Sequence, residues 1–305
     1  MIVRKLLAGS LLLVGSVTAG CRCNRDSGGP TPSKESPAAL HLQSVDQLTL
    51  PTSTSTTEVP HDGIAVYATR TKLLLGQDLQ ELAELPNERD LLAHQGLDSR
   101  YKGTDPMYLE PLAKGIERIR KDKGIAEWIP IVISIDASHP YRLLAEILLT
   151  IDRVHASKWA LVVTHDGATR AITSTFNAPR DLGSAPSAKP NGAPQAKDSA
   201  IFLGVTIAPH GFLLRAFGRA LGPSCELVDA DLITVPNQGA AFDFAGLSAC
   251  AGKSKAKAPD SKDDVVTLTV APTIDLQTIV SALDALRTTE GGKALFSAPA
   301  FAIVH

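Results

Sequence analysis

Cysteines are the residues with the most reactive side chains in this 305-residue chain, which has four of them. Cys21 follows two basic residues, the apolar run of residues 6–17 and the small residues Thr18-Ala19-Gly20. That order is typical of a secretory signal. The apolar run is about half of the ~20 residues that a bilayer-spanning helix needs, so it predicts a removable signal over residues 1–20.

The four residues Thr18-Ala19-Gly20-Cys21 resemble the bacterial lipobox, in which the cysteine sulfur receives a diacylglyceryl group and becomes the new N-terminus. Thr18 stands where that motif usually has Leu, and an ordinary signal peptide is the alternative interpretation. The resemblance implies an exported protein that is held to a membrane by lipid on Cys21, on the periplasmic side of the cell envelope. Arg22 favours the outer membrane over the inner membrane.

Cys225 and Cys250 lie close together in the second half of the chain. An oxidising compartment favours a disulfide between them. Two separate buried thiols are the alternative. We assign no role to Cys23, which lies two residues after Cys21.

Few residues are candidates for a catalytic acid, base or nucleophile. Asp136 follows an apolar segment and could act as an acid, but the favoured interpretation is a carboxylate that caps a strand-to-helix turn near Pro140. Ser184 and Ser187 lie in a stretch rich in Pro and Gly, without a Gly-x-Ser-x-Gly elbow or a Walker-type loop. We therefore predict that the protein is not an enzyme.

Histidines raise the question of a metal site. No pair among them has the i, i+4 spacing with a carboxylate that zinc enzymes use. The four candidate ligands are His61, His139, His155 and His165. The sequence predicts neither a metal nor a cofactor.

Charge and composition exclude other classes. Thirty basic residues against 32 acidic ones give a formal net charge of −2, and aromatic residues are 5% of the chain. This balance does not favour a nucleic-acid-binding face or a base-stacking platform. After the signal, no apolar stretch has the length of a membrane helix.

Changes in composition divide the chain. Polar, Pro-rich and Gly-rich stretches predict a flexible tether over residues 21–47 and a linker over residues 177–199. They separate a first domain, residues 48–176, from a second, residues 200–305. Residues 253–264 form a further polar patch that predicts a surface loop.

Periodicity predicts the same element order, β, β, α, β, α, β, in both domains. In the first, the segments are residues 63–68, 72–75, a helix striped by Leu109 to Ile119, 129–135, a helix opened by Pro140, and 159–163. In the second, they are residues 201–207, 212–217, 242–251, 265–270, a helix from near Thr273, and 295–304. The expected fold is α+β, with two small two-layer domains of ββαβαβ type.

The two halves also align with each other. Placing Ile151-Asp152 on Leu283-Asp284, an offset of 132 positions, brings the apolar helix stripes into register. This pattern predicts a tandem duplication.

Two stretches resemble the periplasmic domain of the ExbD/TolR family. One is the lead-in Leu48-Thr49-Leu50-Pro51 with the hairpin after it and residues 76–79; the other is residues 131–144, continuing to residues 159–163. The match covers most of residues 48–164, and the second half is a fainter copy. The resemblance implies a protein of the inner-membrane energisers, which couple proton flow to work on TonB-like or TolA-like proteins.

The family's proton carrier is an Asp in an N-terminal membrane helix, and residues 6–17 contain no acidic residue. The resemblance therefore implies only the periplasmic, protein-contacting part of the role. We expect a non-enzymatic accessory module, lipid-anchored, whose partners are TonB-like or TolA-like proteins or channel subunits. A structural tether that binds peptidoglycan is the alternative. We also hypothesise that the two halves pack together as an intramolecular pseudo-dimer, which would cover exposed sheet edges.

Overall fold

The computed structural model describes residues 42, 45–93, 96–124, 129–156, 158–175, 203–230, 232–257, 265–289, 291–292, 294–296 and 298–302. The predicted signal, Cys21, most of the predicted tether and the linker lie outside these residues. The described residues belong to one compact unit and form two mixed β-sheets with helices. The α+β fold class is confirmed.

The first half, residues 45–175, contains a six-stranded sheet. Its strands are β1 (Ile64–Ala68), β2 (Lys72–Leu75), β3 (Gln80–Glu84), β4 (Ile131–Ile135), β5 (Lys158–His165) and β6 (Ala168–Thr175). Their order is β3-β2-β1-β4-β5-β6. The three central strands β1, β4 and β5 are parallel, and the outer pairs are antiparallel.

Three helices accompany this sheet: α1 (Glu88–Ala93), α2 (Glu110–Lys123) and α3 (Tyr141–Arg153). Helix α2 has Pro in its first turn and ends at Gly124, whose φ of 59° is the left-handed conformation that favours glycine. Helix α3 follows Pro140, and ten of its 13 residues are buried. The helix predicted from Pro140 therefore forms the centre of the first core.

The second half, residues 203–302, repeats this design. Its elements are β7 (Leu203–Ala208), β8 (Gly211–Ala216), β9 (Arg219–Leu221), β10 (Leu227–Val228), β11 (Val235–Pro236), α4 (Phe244–Ala256), β12 (Val265–Val270), α5 (Leu276–Arg287) and β13 (Ala298–Ala302). The strand order is β10-β9-β8-β7-β12-β13, and β11 also pairs with β8. The series β9-β8-β7-β12-β13 matches β3-β2-β1-β4-β5 of the first half.

The structure corrects the register between the two halves. Pro140 and Asp275 are the N-cap residues of α3 and α5, and they are 135 positions apart. The offset of 132 that the sequence suggested for the helices is therefore wrong by three residues. With the offset of 135, Leu144 corresponds to Ile279 and Leu148 to Leu283.

Several elements were missed by sequence reasoning. Strands β3, β6, β9, β10 and β11 were not predicted, and residues 253–256 belong to α4 rather than to a loop. The missed strands are short or rich in polar residues. A signal for β6 exists in Asp166-Gly167, whose φ values of 49° and 75° are those of a two-residue hairpin turn.

The N-terminal segment covers the first sheet on one face. Residues 45–59, which we call the strap, bring Val45 against Tyr67 and Val59 against Val132. Val45 is buried, although the sequence placed it in the tether. Among the described residues no helix combines the length and apolar character that crossing a membrane requires.

Candidate functional site: the seam and the strap

Two short segments join the halves. Residues 137–142 and residues 272–277, which we call the seam, exchange backbone hydrogen bonds. Tyr141 N–H donates to Ile274 O (2.6 Å), Leu276 N–H to His139 O (2.9 Å), Arg142 N–H to Pro272 O (3.2 Å) and Gln277 N–H to Ala137 O (3.1 Å). Each bond has a counterpart 135 positions away with the roles of the halves exchanged. That reciprocity is the signature of a two-fold interface.

The local sequence explains why these segments meet. Each lies between a central parallel strand and the helix that follows it, and the N-cap residues Pro140 and Asp275 are both extended, with ψ values of 153° and 157°. An extended segment outside its own sheet has backbone groups that need partners. The two segments supply these partners to each other.

Apolar contacts add to the seam. Phe301 on β13 lies 6.0 Å from the Tyr141 ring and 5.8 Å from the Trp159 ring, between centroids. Residues of both halves also belong to one continuous cluster of buried hydrophobic side chains. The contact between halves therefore combines backbone hydrogen bonds with aromatic packing.

The strap crosses from the first half to α5 of the second. The Gln277 amide pairs with the Thr52 backbone, accepting from Thr52 N–H (2.8 Å) and donating to Thr52 O (3.0 Å). Asp284, two turns further along the same helix, accepts from Ser53 Oγ (2.8 Å) and Thr54 N–H (2.7 Å). Two side chains of α5 therefore hold three consecutive strap residues.

The strap is also attached to the first half. Ser53 N–H donates to Thr164 O, and Thr164 N–H donates to Pro51 O, both at 2.9 Å. Ser55 Oγ donates to Ala171 O at 2.7 Å. Pro51, Ser53 and Ser55 are buried while the residues between them are exposed. The strap is therefore an extended segment with one inward face, built from Ser and Thr.

Asp136 fixes the start of the strap. Its buried carboxylate accepts from Thr49 N–H (2.8 Å), from Ser138 N–H (3.1 Å) and from Ser138 Oγ (2.6 Å), and it lies 3.4 Å from Arg70 Nε. Burial raises the pKa of Asp136, but the hydrogen bonds from Ser138 and Thr49 and the Arg70 charge outweigh burial, so the net pKa is lowered. Asp136 binds the turn before α3, but its partner in the strap was not foreseen.

The histidines considered for a metal are scattered. His139 is buried at the seam, with Nε2 2.6 Å from Thr69 O; burial lowers its pKa, an effect that the Thr69 carbonyl partly opposes. His165 Nδ1 lies 2.9 Å from Ser53 O of the strap. His61 and His155 are exposed. Within the described ranges, no three His, Cys, Asp or Glu side chains gather in a way that could hold a metal ion.

A buried ion cluster lies on α3. Glu146 is fully buried, and its Oε1 is 2.8 Å from Lys102 Nζ and 3.0 Å from Arg142 Nε. Its other oxygen accepts from Leu97 N–H at 3.1 Å. The cluster attaches the loop of residues 96–102 to α3. Sequence reasoning missed it, although Arg142 and Glu146 have the i, i+4 spacing of a helix ion pair.

The predicted cysteine pair lies in the second half. Cys225 and Cys250 form a disulfide, with Cα atoms 5.4 Å apart. It links the turn after β9 to the buried side of α4. Cys21 and Cys23 lie outside the described residues.

Strand β3 is an end strand of the first sheet. Beside it lies a groove of 410 Å³ between residues 81–84 and the short 3₁₀ helix Ser99–Tyr101. Glu84 N–H, which points away from β2, donates to Tyr101 Oη at 3.3 Å. A side chain therefore occupies a donor that a neighbouring strand could use.

Comparison of the chain with protein-family models, with curated proteins and with solved structures found no match. The resemblance to the ExbD/TolR family therefore stays a prediction from the sequence pattern.

Proposed function

We propose that this protein is a non-enzymatic, lipid-anchored periplasmic module that binds a partner protein by strand addition, as an accessory to an ExbD/TolR-like energiser and without a proton pathway of its own. The observation that supports this proposal best is the position of β3 at the end of its sheet, with a groove beside it. An extended peptide that pairs with an edge strand gains backbone hydrogen bonds, and neighbouring pockets provide specificity.

The side chains at this edge are charged. Glu81 and Glu84 are exposed there, and charges on an edge strand oppose indiscriminate pairing. Lys72 lies 2.7 Å from Glu81, and Arg100 lies 3.8 Å from Glu84. We infer that the occupant is an extended segment of a TonB-like or TolA-like protein that pairs with β3 through its backbone.

A peptide titration tests the docking site. Overlapping peptides of TonB-like and TolA-like proteins from the same genome are added to labelled protein, and backbone amide shifts are followed by NMR. We expect the largest shifts at residues 80–84. Glu84→Pro removes the outward donor and should weaken binding about fivefold, whereas the control Glu84→Ala retains the donor. Shifts confined to other regions, or equal binding by both variants, would contradict strand addition at β3.

Tyr101→Phe provides a sharper form of this test. The variant removes the hydroxyl that occupies Glu84 N–H, so a peptide strand no longer competes with it. We expect binding to tighten a fewfold. Weaker binding would show that the hydroxyl contacts the peptide instead.

The anchor is tested separately at Cys21. Incorporation of labelled fatty acid is expected in the natural protein, and Cys21→Ser should leave an unprocessed precursor. Normal cleavage of that variant to a soluble product would remove the anchor from the proposal.

The seam supports a further part of the proposal, that the two halves act as a covalent pseudo-dimer. Four reciprocal backbone bonds and the Phe301 contacts join them. Analytical ultracentrifugation of the signal-less chain should show a monomer over the micromolar range. A dimer at these concentrations would mean that sheet edges seek a second chain.

Peptidoglycan binding is the second candidate, and the open face of the second sheet favours it. Thr206 and Thr269 are paired neighbours on β7 and β12, Gly204 is beside Thr267, and all four are partly exposed. A flat face with hydroxyl groups suits a glycan strand. Co-sedimentation with purified peptidoglycan tests this candidate, and loss of binding in Thr206→Val with Thr269→Val would locate it.

A further inference from the structure

We propose that the strap is a force-sensitive clasp: tension on the chain before residue 45 releases the strap from α5 and then opens the seam, while both sheets stay folded. The proposal does not depend on which partner binds at β3. It rests on how the strap is attached to the two halves.

The first step of the argument is connectivity. The strap, residues 45–59, precedes β1 in the chain, and Leu42 before it packs beside it on the same face of the first sheet. The strap contacts Asp136 and Thr164 in the first half, and Gln277 and Asp284 in the second. A load at the N-terminal end is therefore carried by contacts with both halves before it reaches a core strand.

The second step is the unequal strength of these contacts. Thr52 and Thr54 are exposed, and their N–H groups donate to side chains of α5. Single hydrogen bonds near water change an opening equilibrium by only a few-fold to about tenfold. The strands of the first sheet, in contrast, have long backbone ladders, such as the eight paired positions of β5 and β6.

The third step is the order of loading. Going along the chain, Thr49 is bound to Asp136, Thr52 to Gln277, and Ser53 and Thr54 to Asp284. A pull from the N-terminal side reaches these contacts one after another, as small groups of hydrogen bonds. The largest group is at Thr52, where the Gln277 amide and the Thr164 backbone hold neighbouring strap residues together. Elements with few buried apolar contacts and exposed hydrogen bonds open first in folded proteins.

The fourth step is the effect on the seam. Gln277 is shared, because its side chain holds Thr52 while its N–H donates to Ala137 O. Ala137 N–H in turn donates to Thr49 O of the strap. Release of the strap therefore frees the Gln277 side chain and the Ala137 N–H, which flank the seam hydrogen bond from Gln277 N–H to Ala137 O. The remaining contacts must then hold the halves together.

Single-molecule stretching of the signal-less chain between its terminal residues tests the clasp. We expect an early step that frees a strap of about 50 Å contour length, 15 residues at ~3.3–3.6 Å each, before any step that unfolds a sheet. Gln277→Ala with Asp284→Ala should lower the force of that step, and Arg219→Ala, which removes a remote exposed ion pair, should not. A first rupture that already includes a sheet would overturn the proposal.

Hydrogen exchange gives a second measurement without force. In the Gln277→Ala, Asp284→Ala protein we expect the seam amides of Tyr141 and Leu276 to exchange about tenfold faster, with the amide of Ile133 in β4 unchanged. Asp284→Asn, which keeps one acceptor oxygen, should fall between. Unchanged exchange rates at the seam amides would refute a clasp and indicate that the strap is merely structural. An equal increase in the exchange rates of the Tyr141, Leu276 and Ile133 amides would have the same meaning.

Discussion

The two sheets have the same strand order but differ in what covers them. In the first sheet all five residues of β1 and of β4 are buried, because helices pack on one face and the strap on the other. In the second sheet β7 and β12 alternate between buried and partly or fully exposed residues. Both halves are two-layer α+β folds, but the strap also covers the second face of the first sheet, while the matching face of the second sheet is partly exposed.

Corresponding residues show how the sequence encodes this difference. Val132 pairs with Ala65, and 135 positions later Thr267 pairs with Gly204 in the same place of the second sheet. Apolar residues on both faces mark a covered sheet, while alternation with Thr marks one that meets solvent. Corresponding strands of the two halves therefore keep the same neighbouring strands, while the segment that covers the sheet face differs.

The halves also stabilise their helices differently. Helix α3 carries the buried Glu146 with two cations, while the corresponding position of α5 is Ser281. The second half instead has the disulfide between Cys225 and Cys250. A buried charge needs its partners, whereas a disulfide constrains the unfolded chain. The stability of the first half should therefore depend on the partners of Glu146, and that of the second half on its disulfide.

The largest effect is expected from Glu146→Ala. The change leaves Lys102 and Arg142, whose side chains are 7% and 17% exposed, without their carboxylate. We expect the free energy of unfolding of the first half to fall by about 3–5 kcal/mol, measured by urea denaturation with Trp159 fluorescence. The matched control Ser281→Ala should cost under about 1 kcal/mol. Equal losses would mean that the two helices are not stabilised differently.

Loss of the disulfide should follow in size. Replacing Cys225 and Cys250 by Ala opens a loop between residues 25 positions apart. The chain-entropy relation gives a loss of about 3.5 kcal/mol, confined to the second half. Hydrogen-exchange mass spectrometry separates the halves, and peptides of β4 and β5 should keep their protection. Free thiols at both positions in exported protein would contradict the assignment.

Asp136→Asn should have a smaller effect that depends on pH. The variant loses a charged acceptor for Thr49 and Ser138, which costs about 1.5–3 kcal/mol at neutral pH. Because the folded pKa of Asp136 lies below the unfolded value of ~3.9, its contribution is complete above about pH 4 and is lost as the pH falls through the folded pKa.

Urea denaturation at several pH values checks this prediction. The natural protein should lose stability below about pH 4, and Asp136→Asn should lose less over the same interval. Asp166→Asn, an exposed acid in the β5–β6 turn, is the control. If the control flattened the pH profile as much as Asp136→Asn, the Asp136 carboxylate would not be the source of the pH dependence.

The smallest effects compare the covered face of the first sheet with the partly exposed face of the second. Val132→Thr puts a hydroxyl under the strap and should cost about 1–2 kcal/mol, whereas Thr267→Val, the reverse change at the matching position, should stay within about 0.5 kcal/mol. Thermal denaturation of both variants measures the difference. A cost for Thr267→Val equal to that for Val132→Thr would show that the second face is covered as well.

The elements that could be predicted from the sequence are those with strong periodicity. The central strands β1, β4, β7 and β12 and the helices α3 and α5 lie within a few residues of their predicted places because each has a regular apolar pattern. Strand β3, Gln80–Glu84, is an edge strand with only one buried residue, so its pattern was too weak to recognise.

The candidate site was harder to foresee because its contacts join distant residues. Asp136 was recognised as a carboxylate at a strand end, but its partner Thr49 is 87 positions away. Gln277 and Asp284 lie on one polar stripe of α5, and nothing local distinguishes that stripe from a solvated face. Their role depends on how two halves pack, which single-sequence periodicity does not encode.

The separation between Thr52 and Gln277 is 225 residues, and it has a consequence for biosynthesis. At ~5–20 residues per second, the ribosome makes the acceptor helix roughly 10–45 s after the strap. An apolar strap would be an aggregation hazard during that delay, and such hazards are reduced by polar residues. Its Ser and Thr residues keep the nascent segment hydrated, and they later supply the hydroxyl and backbone groups that bind α5.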